Sequence, residues 1–364
     1  MNRQREWDVS GSLAVDGPRA PDQAATGGSR LRARRRRRLV GIAVLLVVLL
    51  VSCVLSVVVG AKTIPLAEVW HGLVAPSGSE NDLIVRELRL PRTVVGVLAG
   101  AGLGLAGALM QGHTRNPIAD PGILGITQGA ALAVVLAIYT FGVTTLLGYI
   151  WFGFAGAVLG ALAVFAIGSL GRGGPTPVTL ALAGTAISFL LQAITSALVL
   201  TDQQTMDAYR FWKVGSVAVT DPAVIPQVLP FVLVGIVLAL TNASGLNALS
   251  LGEDVARSLG HRVEWSRRAG IAAIAVLVGS AVAICGPIGF VGLVVPHVAR
   301  FFTGADHRWL LPFSGLLGAS LVLLADVLGR LVARPSEVQV GVMLAMVGAP
   351  FFIALVRRRK LVRL

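Results

Sequence analysis

Residues 39–61 read LVGIAVLLVVLLVSCVLSVVVGA, twenty-three positions without a charged side chain. At 1.5 Å per residue a helix of this length crosses a hydrocarbon core of about 30 Å with no charge to desolvate on the way. Apolar stretches of similar length recur along nearly the whole chain. They predict helices near 39–61, 93–113, 122–141, 147–170, 176–200, 223–242, 267–287, 290–303, 309–332 and 338–356. The fold class that follows is all-α: a polytopic transmembrane bundle of about ten helices. The 39–61 stretch lies too deep in the chain and runs too long for a cleaved signal, whose apolar part is about 7 to 15 residues, so it is a retained first helix.

Composition agrees. Of 364 residues 55% are hydrophobic and 13% charged, with mean hydropathy +0.79, against about 25% charged in an average soluble domain. The net charge of +13 does not point to nucleic acid. Ten of the 31 Lys and Arg fall in the first 38 residues and five between Arg357 and Arg363. Both clusters abut apolar helices, as cytoplasmic anchors do, and the Arg34 to Arg38 run carries no interleaved aromatics. Ten crossings starting inside put both termini in the cytoplasm, with 23 basic residues inside and eight outside. The outer eight are Lys62, Arg86, Arg89, Arg92, Arg210, Lys213, Arg330 and Arg334.

Residues 1–38 are rich in Arg, Gly, Ser and Pro and hold too little apolar surface to order themselves, so they read as a disordered basic cytoplasmic tail. Residues 39–364 form the transmembrane domain, with a cytoplasmic loop at about 243–268. Cys53 and Cys285 lie in apolar stretches without metal-site spacing and read as packing residues; no metal site is expected. Gly96, Gly100 and Gly104, and Gly153, Gly156 and Gly160, are spaced for close helix–helix approach in lipid. Gly102, Gly104 and Gly107 imitate a dinucleotide fingerprint, but no strand precedes them.

Polar punctuation marks the rest. Through Arg115, Asn116, Pro117, Pro121 and Gly125 two prolines four residues apart force the chain to reverse, a structural turn motif. Gly286, Pro287 and Gly289, then Pro296 and His297, break a second helix, which membranes tolerate only where protein or water satisfies the backbone. Asp326 is the main acid within a span; Arg330, four residues on, shares its helix face and reads as its partner. His113, His297 and His307 lack metal spacing and read as surface or capping residues. The loop LNALSLGEDVARSLGHRVEWSRR, Leu246 to Arg268, offers a short helix with an acidic start at Glu253 and Asp254, then Ala256 and Arg257, and a glycine stop at Gly260.

Taken together, RELRLPR (Arg86 to Arg92), GALMQGHTRNPIADPGILGI (Gly107 to Ile126), GPIGFVGLVVPHVAR (Gly286 to Arg300), DHRWLLP (Asp306 to Pro312) and LLADVLGR (Leu323 to Arg330) resemble the FecCD-type permeases of ABC importers for iron-siderophores, haem and cobalamin. The resemblance covers about residues 40–360. It implies a permease subunit of the bacterial cytoplasmic membrane, working with two ABC ATPase subunits, an extracytoplasmic substrate-binding (lipo)protein and a second permease copy, identical or paralogous, in membrane lipid. It also implies that Glu253, Asp254, Ala256, Arg257 and Gly260 form the ATPase-coupling loop, and that Arg89, Arg92 and Arg330 meet acidic side chains of the binding protein. An anchoring role at a helix end is the alternative for these arginines. The chain has no GxxxxGK[ST] loop, and Lys62, Lys213 and Lys360 follow no such glycines, so no catalysis and no cofactor of its own are expected; ATP and Mg belong to the partners. An ion-coupled secondary transporter, the rival reading, would carry more ionisable residues in its spans.

Overall fold

The computed structural model describes residues 22–170, 176–218 and 221–357. The chain divides at Val40/Gly41 into two units. Fifteen α-helices follow in order: α1 Asp22–Val58, α2 Leu66–Val74, α3 Glu80–Leu83, α4 Leu90–Thr114, α5 Ile126–Phe141, α6 Leu146–Gly168, α7 Pro177–Thr201, α8 Gln203–Val214, α9 Val224–Thr241, α10 Ala243–Ser250, α11 Glu253–Ser258, α12 Val263–Cys285, α13 Val291–Thr303, α14 His307–Val332 and α15 Val340–Arg357. No strand occurs among the described residues.

Among the described residues seven helices are long and apolar enough to cross a membrane, those carried by α1, α4, α6, α7, α9, α12 and α14, and α5, α13 and α15 are shorter apolar helices. The ten match the ten expected positions. The first begins earlier than expected: residues 22–38 are helical, not irregular, and the exposed Arg32 and Arg34–Arg37 lie on α1. Arginine and alanine are good helix formers, and a helix already nucleated in an apolar segment extends at little cost. Residues 1–21 of the expected tail, Arg172, and the basic residues after Arg357 lie outside the described residues.

The second membrane helix also begins early. A π-helical turn, Ile84–Arg89, joins α3 to α4. Pro91 has no N–H to give the carbonyl of Glu87, and Leu90 N–H reaches back five residues to Val85 O, the widened turn a proline-disturbed ladder adopts.

Burial sorts the helices into an inner and an outer set. The apolar window of the second span is 78% buried and those of α12 and α14 72%, against 17% for α1. The inner contact of α4 on α14 is made by glycine: a Cβ on Gly104 would collide with the Ser314 carbonyl, and one on Gly100 with the Gly318 carbonyl. Gly129, Gly156 and Gly160 do the same between α5 and α6. Backbones this close gain dispersion contact that lipid cannot offer to larger side chains.

α4 and α14 run antiparallel, which gives the bundle two ends. Arg92, at the start of α4, meets Asp326 near the end of α14. At the far end His307, the first residue of α14, lies against Gly112 near the end of α4. α8 belongs to the Arg92 end, because its Trp212 carbonyl packs on Gly286, just beyond the end of α12.

Candidate functional site

At the first end three arginines and two acids form one buried network. Asp326, 1% exposed, accepts from Arg92 Nε at 3.1 and 3.0 Å and from Arg92 Nη2 at 2.7 Å. Its other oxygen lies 2.9 Å from Arg330 Nη2, which is the i,i+4 pair read from the sequence. Arg92 Nη1 donates at 2.5 Å to Glu337, whose side chain is 35% exposed. Arg330 Nη1 donates to the carbonyls of Ser56 and Val59, at 2.8 and 2.6 Å. Arg89 donates to those of Val57, Val58 and Lys62, at 2.9, 2.7 and 2.6 Å. These carbonyls belong to the end of α1 and the chain leaving it, which lack helical partners.

This placement corrects one expectation. Arg89, Arg92 and Arg330 are 4, 9 and 1% exposed, so they are not exposed docking side chains. Their Nη atoms bond carboxylates and carbonyls of their own chain, while Arg330 Nε has no hydrogen-bond partner among the described residues. Sequence could not show it, because Asp326 lies 234 residues from Arg92.

The turn motif lies at the opposite end. Arg115 closes α4 at φ 49°, Asn116 Oδ1 accepts from Ile118 N–H at 3.1 Å, and Asp120 Oδ1 accepts from Gly122 N–H at 2.7 Å. Pro121 then opens a short 3₁₀ turn, Pro121–Leu124, that ends on Gly125 at φ 70°. The prolines and the side-chain caps thus divide the reversal between them.

Beneath this turn Gln111, fully buried, spans α4 and α13. Its Nε2 donates to the carbonyls of Gly292 and Leu293 at 3.2 and 3.3 Å, and its Oε1 accepts from Arg300 Nη1 at 2.6 Å. The reason lies in the sequence: Pro296 has no N–H to give the Gly292 carbonyl four residues earlier, and Gln111 supplies one. Gln111→Leu strands that carbonyl and Arg300 Nη1 together. We expect a loss of about 2–3 kcal/mol, read as a lower thermal midpoint of the purified protein, whereas Gln111→Glu, keeping the acceptor for Arg300, loses less.

The histidines also differ from their reading as surface or capping groups. His297 and His307 are 2 and 3% exposed. His307 does start α14, and its backbone N–H donates to Asn247 Oδ1 at 2.8 Å. Asn247 Nδ2 donates to Asp306 at 2.8 Å, Asn242 Nδ2 to the Ser266 carbonyl at 2.9 Å, and Asn242 lies 3.1 Å from His113 Nε2. Two asparagines therefore stitch the 243–268 loop to α4, α12 and α14. The amphipathic pattern of the loop did not reveal them; the only hint was two amides flanking a run of small apolar residues.

Within that loop the predicted short helix is α11. Ala256 is fully buried beside Ala248, Leu249 and Val263. Arg267 bonds Glu253, and Arg257 lies 3.6 Å from both Glu253 and Asp254. Gly252 and Gly260 bracket it at φ 115° and 79°. On the outer face Leu251, Val255, Leu259 and Trp265 are 62, 45, 61 and 71% exposed. Large apolar side chains left exposed among charged residues suit a protein partner.

The fold is that of a polytopic, all-helical membrane protein. The chain belongs to the FecCD transport family, whose model matches residues 48–358. It is 44% identical over 322 residues to the ferric enterobactin transport system permease protein of Escherichia coli, covering 88% of this chain and 96% of that one. It is 41% identical over 317 residues to the iron(3+)-hydroxamate import system permease protein of Bacillus subtilis, with 86% and 82% covered. A solved structure described as an inward-facing conformation of a metal-chelate type ABC transporter superposes with a TM-score of 0.76 at 30% identity, covering 88% of this chain and 99% of that chain. The chain is therefore a permease subunit of an ABC importer. ATP hydrolysis is done by separate ATPase subunits, and membership implies a binding protein and a permease pair.

Proposed function

We propose that this chain forms, with a second copy of itself or a paralogue, the inward path of a ferric siderophore delivered by an extracytoplasmic binding protein and driven by two ATPase subunits carrying ATP and Mg. The observation that carries the cargo class is the likeness, over more than four-fifths of the chain, to permeases for ferric enterobactin and iron(3+)-hydroxamate. The orientation rests on the basic residues counted along the sequence, 23 on the cytoplasmic side against eight outside.

In this reading α11 seats in the ATPase. Motion there reaches the bundle through the Asn242 and Asn247 ties to α4, α12 and α14, which are rigid enough to transmit it. At the other end the binding protein meets the chain near Glu337, the solvent-facing acid of the network. An incoming carboxylate competes with Glu337 for Arg92 through the bidentate chemistry arginine favours. The test is uptake of iron-55 chelates into proteoliposomes holding the chain with its ATPase and binding protein. Uptake that needs ATP and survives collapse of ion gradients supports the reading; uptake that follows the gradient and ignores ATP removes it.

A further inference from the structure

At the Arg92 end, α8, the α5–α6 turn and the last residues of α12 enclose an open-mouthed cavity of about 770 Å³, within the range of small-molecule sites. Its walls are fixed. Ser216 N–H donates to the Cys285 carbonyl at 2.7 Å, and Gly341 N–H donates to the Gly215 carbonyl at 3.1 Å. Together these bonds bind the chain leaving α8 to both α12 and α15. A Cβ on Gly286 would collide with the Trp212 carbonyl, so α8 is held by backbone contact that leaves no room for adjustment.

The lining has a definite chemistry. Thr145, Tyr149 and Ser216 bring hydroxyls to it, and Ala208, Phe211 and Ile284 an apolar floor. Trp212 lines it too, 7% exposed, and its indole Nε1 has no acceptor. Asp221 is the one ionisable acid of the lining, which contains no lysine, arginine or histidine. A polyanion entering here would lose hydration, meet no cation and face a carboxylate.

We propose that this cavity is a ligand site of the permease itself, and that it takes an uncharged, oxygen-rich metal chelate in preference to a polyanionic one. The proposal rests on the importer reading above and sharpens its cargo. The neutral chelate places carbonyl or hydroxamate oxygens on the hydroxyls of Thr145, Tyr149 and Ser216 and its hydrocarbon on the floor.

Ala218, exposed in the lining of the cavity, supplies the probe. The full chain, as Cys53→Ser, Cys285→Ser and Ala218→Cys, is placed in nanodiscs, and the introduced thiol is labelled with a small methanethiosulfonate in the presence of a neutral ferric trihydroxamate or a trianionic ferric tricatecholate. We expect the trihydroxamate to slow labelling at least ~5-fold at concentrations where the tricatecholate does nothing. Tyr149→Phe keeps the ring and loses the O–H, so half-protection should need ~5–10-fold more trihydroxamate. Its labelling rate without chelate, equal to the parent's, shows that the walls are intact. Asp221→Asn narrows the difference between the two chelates. Equal or better protection by the tricatecholate overturns the charge preference. Absence of protection by either, while ATP-driven uptake continues, overturns the site and leaves the importer reading standing. Protection by the trihydroxamate without ATP-driven uptake supports the site and strikes the importer reading instead.

Discussion

Asp326→Leu should give a chain that is made but not recovered folded. Two guanidiniums, on Arg92 and Arg330, converge on this carboxylate, and both side chains are nearly sealed from solvent, at 11 and 2% exposure. Removing the acid leaves two cations in the bundle with one remaining carboxylate, Glu337, that only Arg92 reaches. Breaking a buried pair from one side costs about 3–5 kcal/mol, against a total stability on the order of 5–15 kcal/mol. The measurement is monodisperse yield on size exclusion and the thermal midpoint in detergent. Asp326→Leu combined with Arg330→Met should recover part of the loss, because the second charge is gone and Arg92 keeps Glu337. A proton relay predicts another pattern: normal yield and midpoint for Asp326→Leu, with transport lost. That pattern would remove the structural role.

The same network shows where the sequence was and was not enough. The ten apolar helices were legible because hydropathy is a local property, and each span declares itself within about 20 residues. The i,i+4 pair of Asp326 and Arg330 was legible for the same reason. The burial of Arg89 and Arg92 was not: their acceptors are the carbonyls of Val57, Val58 and Lys62 and a carboxylate more than 200 residues away. A motif rich in arginine beside a membrane reads as exposed until its partners are known. Gln111 repeats the lesson. Pro296 announced an orphaned carbonyl in α13, but only the α4–α13 packing shows which donor answers it. α8 escaped notice because a twelve-residue helix with Asp207, Arg210 and Lys213 on it resembles a polar loop when only membrane-length apolar runs are sought. It nevertheless builds one wall of the Trp212 cavity.

Leu259→Asp should abolish the working contact with the ATPase while leaving the permease folded. Leu259 closes α11 and is 61% exposed, and Val255, one turn earlier, is 45% exposed. In the proposed function a surface of the ATPase covers that face. Truncating or charging a central apolar anchor costs about 2–4 kcal/mol of association, so affinity for the ATPase should fall ~30-fold or more and ATP-driven uptake with it. An exposed position contributes within about 0.5 kcal/mol to the fold, and the thermal midpoint should hardly move. Gly260→Val tests the same element through the backbone. No atom lies within 4 Å of a Cβ placed there, but its φ is 79°, a conformation that costs an L-residue about 1–2 kcal/mol. The end of α11 must therefore reorganise without any clash, and uptake should drop while membrane insertion and yield persist. If Leu259→Asp binds the ATPase and transports like the parent, α11 is not the coupling element. The Asn242 and Asn247 ties would then serve only to hold a surface loop.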